Sequence, residues 1–204
     1  LPAVVIVILM SLLLVRGTQE SARFNAIIVT LKVAVVLIFI ILGWGYINNS
    51  NYTPYIPENT GTFGEYGFSG IIRAAAIVFF AYIGFDAVST AAQETKNPKR
   101  NMPIGILGSL AICTILYVLF AHVMTGLVPF EIFKGDASPA ATAFKVTGYS
   151  FLQMGLIIAI LAGYTSVILV MLMGQSRVFY TMSKDGLLPK FFSSIHSKYS
   201  TPWK

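Results

Sequence analysis

Residues 78–100 read VFFAYIGFDAVSTAAQETKNPKR. The stretch opens as an apolar helix of membrane length, places Gly84, Phe85 and Asp86 in its middle, and ends on Lys96, Lys99 and Arg100. A carboxylate at membrane depth is costly unless it faces protein, water or a partner. Glycine adopts backbone conformations that other residues avoid. Non-helical backbone inside a bilayer survives only where it lines a cavity or is buried in protein. Two readings follow. Either Gly84 lets two helices approach closely, or the span is broken there. A break would free carbonyls that accept from a cation and would expose the N-terminal end of a second half-helix, which favours anions. A zwitterion presents both charges.

The surrounding composition supplies the setting. The chain has 204 residues, of which 56% are hydrophobic and 11% charged, and its mean hydropathy is +0.76. Soluble domains carry about 25% charged residues, so the deficit points to lipid. A transmembrane helix needs roughly 20 apolar residues. Five stretches qualify, spanning about residues 1–15, 24–47, 71–92, 104–128 and 151–173, with an interfacial tail over 175–204. Leu1 lies within an apolar run and Lys204 follows a basic segment. The expectation is an internal stretch of a longer membrane protein.

Basic residues accumulate on the cytoplasmic side of a membrane. Arg16 and Arg23 follow the first span, Lys96, Lys99 and Arg100 the third, and Arg177, Lys184, Lys190, Lys198 and Lys204 the fifth. The connection over 48–70 has no Lys or Arg. Spans one, three and five are therefore expected to run inward. The net charge of +6 reads as these loops, with no separate basic domain for nucleic acid.

Lys32 lies in TLKVAVVLIFIILG. Arg23 is the nearest charge toward the helix start, and a rise of 1.5 Å per residue puts Lys32 about 13 Å deeper. A lysine stem snorkels only about half that distance. The alternatives are partial snorkelling or a role on an ion or substrate path, where intramembrane ionisable groups concentrate. Tyr164-Thr165-Ser166 lies midway along the fifth span. Its hydroxyls suit either local bonds to the preceding turn or a polar face toward Lys32. His122 reads as a packing histidine, and the single cysteine, Cys113, as a small core hydrophobe. No metal-ligand cluster, nucleophile elbow or phosphate-binding glycine loop appears, so the reading is neither an enzyme nor a cofactor protein.

Three segments carry a resemblance: FFAYIGFDAVSTAAQETKNPKRNMPIGI, GTQESARFN with the following TLKVAVV, and GQSRVFYTMSKDGLLPKFF. The chain resembles the amino acid–polyamine–organocation permeases, in their cationic-amino-acid-transporter-like branch. The resemblance implies an all-α integral membrane fold of about twelve helices in a five-plus-five inverted repeat. This chain would supply about helices 4–8, with the remaining transmembrane helices as partners.

By the same resemblance Phe80, Ala81, Tyr82, Ile83 and Gly84 match a broken substrate-binding helix, and Asp86 the acidic position past the break. Lys32 matches a lysine whose ammonium stands where sodium-coupled relatives hold their ion, with Thr165 and Ser166 approaching that site as proton-coupling partners. The implied function is secondary active amino acid transport in the plasma membrane, by proton symport with alternating access. The alternatives are amino acid exchange without net proton movement, a channel, or a structural membrane protein.

Overall fold

The computed structural model describes residues 2–84, 88–89, 95–196 and 201. Among them the regular elements are all helical, with no β-sheet. The helices are α1 (Pro2–Arg16), α2 (Thr18–Trp44), α3 (Gly67–Val78), α4 (Pro98–Leu127), α5 (Pro139–Lys145) and α6 (Ser150–Lys184). Short 3₁₀ turns cover Asn49–Tyr52, Phe79–Tyr82, Phe130–Phe133 and Lys190–Ser193. Three helical stretches, Ser21–Trp44, Pro98–Leu127 and Gln153–Lys184, are long and apolar enough to cross a membrane. The most apolar windows of these stretches are only 22%, 0% and 22% buried. Their apolar faces are thus left for lipid or for further helices.

The structure adds detail to the sequence reading. α4 begins at Pro98, with Pro103 inside it. Proline's preset φ suits a first helical turn, and the carbonyl of Asn97 accepts from the N–H groups of Arg100 and Asn101 at 3.1 and 3.0 Å. α6 is one helix of 35 residues that runs past residue 173 to Lys184. It stops where Gly186 takes φ +79° and Leu187 N–H returns to the Met182 carbonyl at 2.9 Å, a glycine-terminated helix end. The connection before α6 holds the short α5, whose approach is shaped by Asp136. The Thr142 hydroxyl and the Ser138 N–H hold that carboxyl below its ordinary value.

The chain divides into two compact units. One comprises the described residues of Leu1–Val33, Gly84–Leu107 and Ala159–Lys204. Here Gly17, at φ +140°, separates α1 from α2. A helix leaves its last carbonyls without intrahelical partners. At the end of α1 the buried Ser21 hydroxyl donates to Gly17 and Leu13 carbonyls at 3.0 and 3.3 Å, and Thr201 donates to Val15 at 3.0 Å.

The other unit comprises Ala34–Ile83 and Gly108–Ile158. Its core is Phe39, Val123, Leu127, Ala143 and Phe144, each at most 5% exposed. The Phe39 ring lies 4.4 Å from Phe120 and 5.2 Å from Phe144, centroid to centroid. Small residues let membrane helices approach closely, and Gly43 does so: a Cβ there would lie 2.5 Å from Val123 Cγ1.

The connection after α2 is fastened to the last turns of α4. The Gly126 carbonyl accepts from Asn48 N–H at 3.0 Å and Asn51 Nδ2 at 2.7 Å. Tyr52 Oη donates to the His122 carbonyl at 2.7 Å, and its ring stacks on the His122 imidazole at 4.8 Å and 3°. Burial first, then neighbouring Tyr55, push the Tyr52 phenol above its ordinary value, so it remains a donor. His122 is thus a packing residue that ties this connection down. A Cβ on Gly126 would run into Tyr52 Oη. Gly126→Ala is expected to cost about 1–3 kcal/mol, the usual range for overpacking, read as a lower melting temperature of the full-length protein in detergent.

Candidate functional site: an interrupted helix and a lysine seam

α3 ends where the sequence places its break. After Val78 the chain tightens into the 3₁₀ turn Phe79–Tyr82, with Ile83 N–H donating to the Phe80 carbonyl at 3.3 Å. Ile83 then turns extended, at ψ 133°, and Gly84 takes φ +132°. Residues with a Cβ rarely occupy that conformation. The Gly84 carbonyl accepts from Val88 N–H at 3.0 Å. Phe80 and Ile83 are exposed, and Tyr82 is half-buried. Asp86 lies outside the described residues.

α4 meets this turn with two hydroxyls three residues apart, a spacing that puts both on one helix face. Thr114 Oγ1 and Tyr82 Oη are 3.1 Å apart. Tyr117 Oη donates to the Ala81 carbonyl at 3.4 Å, and the Tyr82 and Tyr117 rings meet edge-on at 5.6 Å. Neither Thr114 nor Tyr117 was expected from the sequence. The available signal is a pair of hydroxyls at helical spacing in an otherwise apolar run.

Lys32 belongs to the other unit and lies on a seam between α2 and α6. Ser21, Asn25, Ile28 and Lys32 recur at helical spacing on one face of α2; Ser21 and Ile28 are buried and Asn25 and Lys32 half-buried. Ala159, Gly163 and Ser166 do the same on α6, and Ala159 and Ser166 are buried. Ser166 Oγ donates to Asn25 Oδ1 at 2.5 Å. The Lys32 stem crosses Gly163 so closely that a Cβ there would lie 3.1 Å from its Cδ. Later residues of α2 therefore meet earlier residues of α6, and the two helices run antiparallel. Thr165 turns its hydroxyl to its own helix, donating to the Leu161 carbonyl at 3.1 Å. Of the two α6 hydroxyls expected near Lys32, Ser166 reaches across to α2.

Among the described residues no three His, Cys, Asp or Glu side chains gather as a metal site would require. These features define an integral membrane protein with an interrupted helix and a polar seam in otherwise apolar helices. Residues 1–204 match the amino acid permease family, and the chain belongs to it, within the amino acid–polyamine–organocation superfamily. It is 46% identical over 203 residues to a branched-chain amino acid permease of Bacillus subtilis (strain 168), covering 100% of this chain and 42% of that protein. It is 42% identical over 205 residues to a methylthioribose transporter of the same organism, again covering 100% and 42%. To the chloroplastic cationic amino acid transporter 9 of Arabidopsis thaliana it is 41% identical over 194 residues, covering 95% of this chain and 32% of the relative. The chain thus spans well under half the length of these relatives.

Proposed function

We propose that this chain forms part of a secondary active amino acid transporter that couples uptake to protons by symport. The observation that carries the reading is the interruption of an apolar helix at Phe79–Gly84, held by hydroxyls from α4. Transporters of the inverted-repeat type bind substrate near the membrane midplane at such discontinuous helices, and move the site between the two sides by alternating access. Carbonyls of Phe80, Ala81, Tyr82 and Ile83 suit the substrate's ammonium, and Phe80, Tyr82 and Ile83 side chains shape the space around its side chain. The substrate's carboxylate suits backbone N–H groups of the kind a helix start presents, and Asp86 follows this turn in sequence.

Lys32 is the proton-carrying group in this reading, with Ser166 and Thr165 as polar neighbours. A lysine held away from water can release its proton near neutral pH, and one proton per cycle is enough to drive symport. The remaining helices come from the rest of the full-length protein, which we place in the plasma membrane. Support for an amino acid substrate comes from relatives named for branched-chain and cationic amino acids. A second reading, carriage of a neutral thiosugar, is favoured by the relative named for methylthioribose.

The test is uptake by the full-length protein in proteoliposomes, with labelled amino acids and methylthioribose, with and without an imposed pH gradient. Gradient-driven accumulation of an amino acid is expected. Uptake that requires a counter-substrate and ignores the gradient would make the protein an exchanger. Accumulation of methylthioribose alone would replace the substrate.

A further inference from the structure

The hydroxyls of Thr30, Thr125, Thr165 and Thr181 each donate to the carbonyl four residues back on their own helix, at 2.9–3.1 Å. Threonine inside a helix commonly satisfies its hydroxyl in the preceding turn in this way. Thr114 on α4 behaves differently. Its hydroxyl pairs at 3.1 Å with Tyr82 Oη, across to the 3₁₀ turn Phe79–Tyr82. Threonine is branched at Cβ and holds its hydroxyl at few angles. One turn further along α4, the Tyr117 ring meets the Tyr82 ring edge-on at 5.6 Å. Tyr82 is thus held at its hydroxyl and along its ring, while its neighbours Phe80 and Ile83 are exposed. A tyrosine ring moves on two side-chain torsions, and the hydroxyl pair fixes the far end of both. All of these residues belong to one compact unit.

We propose that Thr114 is a positioning residue for substrate selectivity: it holds the Tyr82 phenol against α4 and so keeps room at the turn for a bulky apolar side chain on the substrate. The inference rests on the reading of this turn as the substrate site, in which Tyr82 helps shape the space around the substrate's side chain. Thr114 touches no substrate in this scheme and acts through Tyr82. With the pair broken, the ring is free to take other staggered rotamers, some of which fill space that the substrate needs. The side chain of leucine meets such a ring more than the methyl group of alanine does. The loss therefore falls on the larger substrate.

The experiment uses the full-length protein in proteoliposomes. Uptake of labelled L-leucine and L-alanine is measured over a range of concentrations, and selectivity is the ratio of their kcat/KM values. Thr114→Val keeps the branched shape and removes the hydroxyl on an exposed helix face, so the fold should survive. The leucine-to-alanine ratio is expected to fall about threefold or more, in keeping with the loss of one hydrogen bond. Thr114→Ser should retain the wild-type ratio. Tyr82→Phe breaks the same pair from the other side and should lower the ratio as Thr114→Val does. Combining the two should add nothing, because either alone removes the pair. A wild-type ratio in Thr114→Val overturns the proposal, and so does an equal loss for both substrates, which is what a merely structural bond would give. Tyr82→Ala tells this from failure of the site itself. If Tyr82→Ala changes the ratio and Thr114→Val does not, the turn remains the substrate site and Thr114 has no part in selectivity. If neither changes it, or if the wild type takes up neither amino acid, the reading of the site fails and the proposal with it. Should Thr114→Val fail to yield folded protein, Tyr82→Phe decides, and a wild-type ratio there overturns the proposal.

Discussion

Gly84→Leu should reduce uptake by about tenfold or more while leaving expression and membrane insertion intact. The cause is the backbone. Gly84 sits at φ +132°, and a residue with a Cβ in such a conformation costs about 1–3 kcal/mol. About 1.4 kcal/mol is a tenfold change in an equilibrium. Among the described residues, chain neighbours aside, no atom lies within 4 Å of the place where a Cβ would stand, so the effect is argued from the backbone. Leucine is also a good helix former, so the chain's cheapest response is to wind the break into regular helix, withdrawing the carbonyls of the Phe79–Tyr82 turn. Gly84→Ala carries the same dihedral strain and should show a smaller loss of the same kind. Uptake rates are compared at low and saturating substrate, with the amount of folded protein measured by size-exclusion chromatography. Wild-type uptake by Gly84→Leu would show that transport does not need the break.

The break was legible because two unlike signals coincide in VFFAYIGFDAVSTAAQETKNPKR: a glycine where backbone freedom is unwanted, and an acid where charge is costly. Sequence spacing left open whether Gly84 serves packing or conformation. The positive φ and the empty space around it favour conformation. Gly43 is the opposite case, a glycine inside regular helix whose missing Cβ admits Val123. Nothing local in the sequence separates the two, because the distinction lies in what approaches from another helix.

The seam was legible in part for the same reason. Lys32 is visible by its cost at depth, and Thr165-Ser166 by its polarity, but the hydroxyls look alike in sequence. Only the rotation of α6 turns Ser166 toward Asn25 and leaves Thr165 on its own helix. Asn25 was within reach of inspection, seven residues before Lys32 and so on the same helical face. Gly163 was not, since what marks it is the approach of the Lys32 stem from another helix. α5 is seven residues long and short of any periodic signal. The end of α6 at Lys184 was legible from Gly186 and Pro189, which stop a segment that continues past the apolar run.

Lys32→Ala should abolish accumulation against a gradient while retaining substrate binding. A pH difference of one unit is worth about 1.4 kcal/mol per proton, which supports about tenfold accumulation when one proton accompanies each substrate. Alanine carries no proton, so a symporter lacking Lys32 would only equilibrate its substrate. The carbonyls proposed for the substrate's ammonium belong to the turn Phe79–Tyr82 and its exit, which this substitution does not alter, so binding should persist. Lys32→Arg should fail as well. A guanidinium keeps its proton throughout the physiological range and is planar and bulkier than an ammonium. Its stem would also have to pass Gly163, where a Cβ would already lie 3.1 Å from Lys32 Cδ. The two variants separate charge from proton release: alanine removes both, arginine keeps the first. Uptake under an imposed gradient, measured beside equilibrium binding for wild type, Lys32→Ala and Lys32→Arg, decides. If Lys32→Arg accumulates substrate with the wild-type pH dependence, a fixed charge suffices and proton release by Lys32 is not the coupling step. If both variants bind but neither accumulates, the result supports proton release by this lysine as the coupling step.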